Sequence, residues 1–264
     1  MKNNNQNTIL KTEDLSIGYR SKKTETSIAS GINLTLNKGE LIGLVGGNGI
    51  GKSTLLRTLT NVQPALKGSV LLHGKTIESY DNLTLAKVLS IVLTETIASK
   101  NLSVFELIAL GRQPYTNWVG TLTTADANAI NAAISQTNLE SLKHKKCYEL
   151  SDGQLQKVMI ARALAQDTDL IILDEPTTHL DMYHKAYILK WLKKLVEQTG
   201  KTILFSSHEI DLAIQLCDRL IVMKTDSIVC DAPCNLISQG VFNNLFPDDL
   251  IVFDTATGSF KVKK

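Results

Sequence analysis

The sequence predicts an α/β fold with a mostly parallel sheet that a helical segment interrupts. Short apolar or β-branched runs alternate with longer segments of helical periodicity, which is typical of parallel strands packed between helices. The strand signal lapses between about Ser103 and Asp167 and returns at Asp169, so a helical insert divides the sheet in sequence. The hydrophobic content, 43% of 264 residues, is enough for a sizeable core.

Six short runs are predicted to be strands buried on both faces, because they are apolar without alternation. They are Leu41 to Val45, Val70 to Leu72, Ser90 to Leu93, Leu170 to Leu173, Thr202 to Phe205 and Leu220 to Met223. Three helices are predicted in the insert, namely Val104 to Gly111, Ala125 to Asn138 and Gly153 to Gln166. A further helix is predicted from Asp181, a suitable N-cap, to Gln198.

The composition excludes a disordered chain, a collagen-like sequence and a disulfide scaffold, whereas the charge balance excludes no partner. The net charge of +2, from 28 basic and 26 acidic side chains, gives no support for a nucleic-acid or membrane-surface partner. No apolar run approaches the ~18 residues of a membrane-spanning helix, and the polar N-terminus does not resemble a signal peptide. We therefore expect the protein to stay in the compartment where it is made. Four cysteines without a CxxC pair indicate reduced, structural thiols in preference to a zinc site.

The segment Gly46 to Ser53 satisfies the phosphate-binding pattern GxxxxGK[ST] between a predicted strand and a predicted helix. Its backbone N–H groups and the helix N-terminus are expected to face phosphate oxygens. Lys52 would reach the β- and γ-phosphates, and the Ser53 hydroxyl would ligate Mg²⁺. The alternative is a glycine-rich turn that binds nothing. The predicted nucleotide-binding residues here are Gly46, Gly47, Asn48, Gly49, Ile50, Gly51, Lys52, Ser53 and Thr54.

Two consecutive acids follow the apolar run Leu170 to Leu173. Ligands of parallel sheets collect at the carboxyl ends of strands, and Mg²⁺ prefers oxygen ligands. We expect Asp174 to hold Mg²⁺ through water, and Glu175 to polarise the water that attacks the γ-phosphate. A solvated turn is the alternative reading of this pair.

Leu150-Ser151-Asp152-Gly153-Gln154 resembles the LSGGQ signature of ATP-binding-cassette (ABC) ATPases. The phosphate loop, the acid pair, Asp181 and His208 follow the order of that family, and the match runs from about Thr8 to Met223. The resemblance implies a P-loop NTPase (RecA-like) core, an antiparallel β part near the N-terminus and a helical subdomain. One ABC ATPase domain would then cover 1–264, with the nucleotide-binding core at 8–95 and 168–235, the helical subdomain at 96–167 and a C-terminal extension at 236–264.

The resemblance also implies roles for single residues. Two cassettes would face head to tail, so that Ser151 and Gly153 of one contact the γ-phosphate held by Lys52 of the other. Gln154 and Asp181 are assigned to the same nucleotide site. His208 would hydrogen-bond the γ-phosphate, although read alone it is a strand-end histidine. Tyr19 would stack on adenine, although a core or surface tyrosine fits it too.

Two positions depart from the family pattern. Glu95 stands where the family usually has a glutamine that contacts Mg²⁺ and the attacking water. A carboxylate there adds a negative charge beside the γ-phosphate, which puts coupling and rate in doubt but not ATP binding. Asp152 replaces a glycine of the signature and is expected to be tolerated.

The stretch Glu106 to Tyr115, ELxxxGRxPY, is similar to one in ATPase subunits of importers for ferric siderophores, haem and cobalamin. There the nearby segment receives the coupling helix of the permease. On the residues alone it is a helix C-capped by Gly111 and stopped by Pro114.

These resemblances predict the ATP-hydrolysing subunit of an importer, with ATP and Mg²⁺ as cofactors. We expect a homodimer docked on permease subunits at the cytoplasmic side of the plasma membrane, an external substrate-binding protein, and no nucleic acid. Alternatives are a soluble cassette ATPase acting on ribosomes or nucleic acid, an ATP-gated clamp slowed by Glu95, and an ABC subunit for another cargo, including export.

Overall fold

The computed structural model describes residues 7–21, 24–93, 100–178, 180–225, 227–243, 245–246 and 250–263. The chain forms two compact units, one of Met1–Ser79 and Leu189–Lys264 and one of Tyr80–Ile188. No helix within the described ranges is long and apolar enough to cross a membrane.

The strands are β1 (Thr8–Arg20), β2 (Glu25–Ile32), β3 (Thr35–Asn37), β4 (Leu41–Gly46), β5 (Lys67–Leu72), β6 (Lys75–Thr76), β7 (Leu89–Val92), β8 (Leu170–Leu173), β9 (Thr202–Ser207), β10 (Arg219–Met223), β11 (Ile228–Asp231), β12 (Ile251–Asp254) and β13 (Ser259–Val262). The α-helices are α1 (Lys52–Leu59), α2 (Asn82–Val88), α3 (Val104–Ala109), α4 (Thr124–Gln136), α5 (Asp152–Ala165), α6 (Met182–Thr199), α7 (Ile210–Leu216) and α8 (Pro233–Ser238).

In the first unit, β4 lies between β9 and β10, and all three strands run parallel. Every residue of β4 is buried, as its unbroken apolar sequence predicts. Val45 is opposite Ser207 and Gly46 is opposite Met223, so the three strands end together at one edge. The phosphate loop, which follows β4, begins at that edge.

The same unit contains an antiparallel sheet in which β1 pairs with β2, β3 and β5, and β5 pairs with β6. This confirms the antiparallel part expected near the N-terminus. The prediction that Val70 to Leu72 is buried on both faces is wrong, because Leu71 is half-buried between the buried Val70 and Leu72. An antiparallel strand can cover a core with one face alone, and three residues are too few to show the alternation.

In the second unit, β7 pairs in parallel with β8, and α3, α4 and α5 pack together. Ile91 and Leu93 are half-buried, so the prediction that Ser90 to Leu93 is buried on both faces is also wrong. The predicted helices are present, but the end of the first differs from its prediction. The α3 helix ends at Ala109, and the chain continues as a 3₁₀ helix, Leu110–Tyr115, that includes Pro114. Pro114 therefore does not stop the helical segment.

Gly111 is not a C-cap, because its backbone does not adopt the left-handed conformation. A Cβ atom at Gly111 would overlap the carbonyl oxygen of Arg162 in α5. The glycine is needed because two backbones meet there. From sequence alone, a glycine after a helix fits either a cap or a close approach.

Candidate functional site

The phosphate loop of the first unit is shaped by its glycines. Gly51, the N-cap of α1, has φ of 108°, and a Cβ atom there would lie 2.5 Å from Cγ2 of Ile28. Only glycine fits that position without strain. A Cβ atom at Gly47 or Gly49 would meet nothing within 4 Å, so this side of the loop has room for a ligand. The loop therefore fits the phosphate cradle predicted for it.

Lys52 places its charge on the loop itself. Its side chain is 5% exposed, and Nζ donates hydrogen bonds to the carbonyl oxygens of Gly46 and Gly47, both at 2.9 Å. These two bonds hold the ammonium on the loop, and charge-assisted hydrogen bonds from an ammonium to phosphate oxygens are strong. The arrangement suits the predicted contact with phosphate.

His208 is placed at the same edge of the sheet. It is exposed and directly follows β9, whose last residue, Ser207, is opposite Val45, the residue before the phosphate loop begins. Two adjacent parallel strands thus deliver His208 and the loop to one side of the first unit. The sequence separation of the two, more than 150 residues, is bridged by the β4–β9 pairing.

Tyr19 lies beside α1, the helix that follows the phosphate loop. Its hydroxyl is 3.0 Å from Oγ1 of Thr54, the third residue of α1, and its side chain is 54% exposed. The hydroxyl of Tyr19 is anchored while much of the ring faces solvent. An anchored, exposed ring can stack on a nucleobase. The predicted role of Tyr19 stays a prediction.

Asp174 and Glu175 follow β8 in the second unit. Asp174 is 3% exposed, and its backbone N–H donates to the carbonyl of Val92 in the neighbouring strand. Glu175 has φ of 50°, which is uncommon for a residue other than glycine. Its carboxylate accepts a hydrogen bond of 2.9 Å from the Thr178 hydroxyl. Strained backbone of this kind clusters at functional sites, so it agrees with the predicted role of Glu175.

The signature residues form the start of α5. Ser151 is the N-cap, and its side-chain oxygen accepts from the N–H of Gln154, while Oε1 of Gln154 accepts from the N–H of Ser151. This capping box satisfies two N–H groups at the helix start. Gly153 lies in the first turn, where a Cβ atom would only touch Leu180 at 3.4 Å.

Asp181 caps α6, as predicted. Its Oδ1 accepts from the N–H of His184 at 2.8 Å and lies 2.9 Å from Nδ1 of the same residue. The hydrogen bond from the His184 backbone is the main cause that lowers the pKa of Asp181.

Glu95, which is predicted to contact Mg²⁺ and the attacking water, lies outside the described residues.

Sequence reasoning missed the role of Arg112. Its Nε donates to Oδ1 of Asp126 at 2.9 Å, Nη1 donates to the carbonyl of Ala165 at 2.7 Å, and the guanidinium lies 3.8 Å from the centre of the Tyr115 ring. Hydrogen bonds from Thr123, followed by that from Arg112, lower the pKa of Asp126 to about 2. Arg112, which lies in the 3₁₀ helix, therefore joins the start of α4 to the end of α5. The T-x-x-D capping box at Thr123 was the available signal.

Comparisons with known proteins agree on one family. The model of the ABC transporter family matches residues 29–178. The petrobactin import ATP-binding protein YclP of Bacillus subtilis is 39% identical over 76% of this chain and 79% of its own. The iron(3+)-hydroxamate import ATP-binding protein FhuC of the same organism is 34% identical over 94% of this chain and 91% of its own. A dimeric bacterial ABC transporter cassette has a TM-score of 0.73 at 25% identity, covering 85% of this chain and 99% of that one.

Proposed function

The chain belongs to the ABC transporter family, and from that premise we propose that it is the ATP-hydrolysing subunit of an importer for a ferric siderophore or a related chelate, such as haem or cobalamin. The phosphate loop is the observation that carries the nucleotide part of the proposal. Its open glycine backbone, the uncapped start of α1 and the buried ammonium of Lys52 together form a binding site for the phosphates of ATP.

The remaining predicted residues are assigned to the same chemistry. Ser53 and Asp174 would supply hard oxygen ligands for Mg²⁺, and Glu95 is a third candidate ligand by its position in the sequence. The metal, when bound, would neutralise charge on the phosphates. Glu175 accepts a proton from the attacking water, and His208 donates a hydrogen bond to the γ-phosphate.

The proposed assembly is a head-to-tail homodimer in which Ser151, Gly153, Gln154 and Asp181 of one copy complete the site of the other. The dimeric structure of a related cassette supports it. Permease subunits and an external substrate-binding protein complete the importer, with this subunit peripheral on the cytoplasmic side of the plasma membrane. Trp118, 97% exposed on a turn held by hydrogen bonds to Oδ1 of Asn117, is a suitable anchor for a protein partner.

The catalytic part is tested with Glu175→Gln in the full chain. Because the amide cannot accept the proton, ATP hydrolysis is expected to fall at least ~100-fold, while the affinity for ATP stays within about twofold. The variant should also form a dimer in ATP that size-exclusion chromatography detects. Glu197→Gln, on the surface of α6, is the control and should hydrolyse ATP normally. Turnover near the wild-type rate would remove Glu175 from its role.

The cargo is tested by co-purification and uptake. Tagged Glu175→Gln protein is isolated from membranes in mild detergent with ATP, and its companions are identified by mass spectrometry. A polytopic permease is expected, and uptake of iron-55 as a ferric hydroxamate should stop when the gene is deleted. Uptake of labelled cobalamin alone would assign the other cargo class. Ribosomal or DNA-bound companions without a membrane protein would overturn the importer.

A further inference from the structure

The C-terminal segment contains an aromatic cluster of its own. Four of the six phenylalanines of the chain are Phe242, Phe246, Phe253 and Phe260. Ring centres are 4.9 Å apart for Phe242 and Phe253, 5.0 Å for Phe253 and Phe260, and 5.2 Å for Phe246 and Phe260. Phe242 and Phe253 are buried. The hairpin of β12 and β13 is therefore packed in place on its inner face.

This hairpin is joined to α7. The N–H of Phe260 in β13 donates to Oδ1 of Asp211, the second residue of α7, at 3.2 Å. The opposite side of α7 lies on β4, where a Cβ atom at Gly43 would be 3.1 Å from Sγ of Cys217 and 3.5 Å from Cβ of Ala213. The helix is therefore held from two sides, by the sheet and by the C-terminal hairpin.

The start of α7 determines where His208 can lie. His208 and Glu209 form the link between β9 and α7. The strand end of this link is fixed, because Ser207 pairs with Val45. At the helix end, the N–H of Ile210 donates to the carbonyl of His208 at 3.1 Å. A displacement of α7 relative to β4 is therefore expected to move His208.

We propose that the β12–β13 hairpin positions His208 through the hydrogen bond between Phe260 and Asp211. Asp211 is a positioning residue that acts on turnover through His208 and α7. The inference rests on the proposed contact of His208 with the γ-phosphate. It gives the C-terminal extension a part in ATP hydrolysis.

The test compares Asp211→Ala with Asp211→Asn in the full chain. The asparagine retains an acceptor oxygen for the Phe260 N–H, whereas the alanine does not. Asp211→Ala should shift the imidazole NMR signal of His208, assigned by its loss in His208→Ala, and lower kcat about tenfold with KM for ATP within twofold. Asp211→Asn should retain both within about twofold of wild type. The control is Asp231→Ala, because the carboxylate of Asp231 accepts hydrogen bonds from the Ala232 N–H and the Asn235 side chain, which both lie outside the hairpin.

A double-mutant cycle separates positioning from general destabilisation. If Asp211 acts through His208, Asp211→Ala will not lower kcat further in a His208→Ala background, measured over long incubations. An equal factor in both backgrounds, or an unshifted His208 signal in Asp211→Ala, would overturn the proposal. A wild-type protein that hydrolyses no ATP would instead contradict the proposed function, and the NMR shift would still decide whether the hairpin holds His208.

Discussion

The phosphate loop and the signature turn both lead into a helix, but only the signature turn caps its helix with side chains. In the first unit, the N-cap of α1 is Gly51, which has no side chain to cap the helix. In the second unit, Ser151 and Gln154 close a capping box on α5. No side chain at the N-cap bonds to the first N–H groups of α1, and a helix start of this kind suits an anion, whereas α5 satisfies two N–H groups with its own side chains.

This difference predicts an order of binding. The phosphate loop is complete without help from a second copy, because glycines and Lys52 already shape it. The signature turn is stable alone, and because the Ser151 oxygen accepts the Gln154 N–H, its O–H stays available to donate. We therefore expect ATP to bind the first unit of an isolated chain, and the signature turn to add contacts only on dimerisation.

The largest change in affinity for ATP is expected from Lys52→Ala, which removes the ammonium group from the phosphate loop. Loss of a charged hydrogen-bond donor should cost about 1.5–3 kcal/mol, or roughly 10–150-fold in the dissociation constant for ATP. Isothermal titration calorimetry of the monomeric chain measures it. Lys157→Ala, whose ammonium lies 4.5 Å from the centre of the Tyr187 ring in the second unit, is the matched control. Unchanged affinity in Lys52→Ala would mean that the loop is not the phosphate site.

Gly111→Ala affects the second unit alone. Its Cβ atom would overlap the helix backbone at Arg162, which cannot move as a side-chain end could. We expect a loss of about 1–3 kcal/mol in the free energy of unfolding by urea, with faster hydrogen exchange in α3 and α5. The dissociation constant for ATP should stay within about twofold. Asn128→Ala, exposed on α4, should change stability by less than ~0.5 kcal/mol. A fully stable Gly111→Ala would show that the two backbones separate easily.

Most of the correct predictions came from short, local patterns in the sequence. The phosphate loop and β8 were found because each is a short, continuous motif in its required context. The face of β5 and the end of α3 were predicted wrongly, since Leu71 and Gly111 each fit two structures until their neighbours are known. Neither the composition nor the spacing of residues predicts the strained backbone of Glu175.

Non-local contacts account for the rest. The hydrogen bond from Phe260 to Asp211 joins residues 49 positions apart, and the one from Arg112 to Ala165 joins residues 53 apart. Neither pair has a spacing that marks it as a contact. Phenylalanines at 242, 253 and 260 have spacings that would also fit one face of a helix, whereas Phe253 and Phe260 lie in strands, so their cluster becomes visible only when the chain is folded.

The smallest effect is expected from Ser151→Ala, and it is the sharpest test of the difference between the two helix starts. Removing the cap should cost about 1 kcal/mol of stability, because one N–H of α5 loses its partner. ATP binding by the monomer should be unchanged, since Ser151 is proposed to contact the nucleotide only across the dimer. Dimerisation in ATP, measured by analytical ultracentrifugation in a Glu175→Gln background, should weaken. Ser151→Asp restores a capping acceptor but not the O–H donor, so it should recover stability without recovering the dimer. If Ser151→Asp recovered both, the hydroxyl would serve the helix and not the nucleotide.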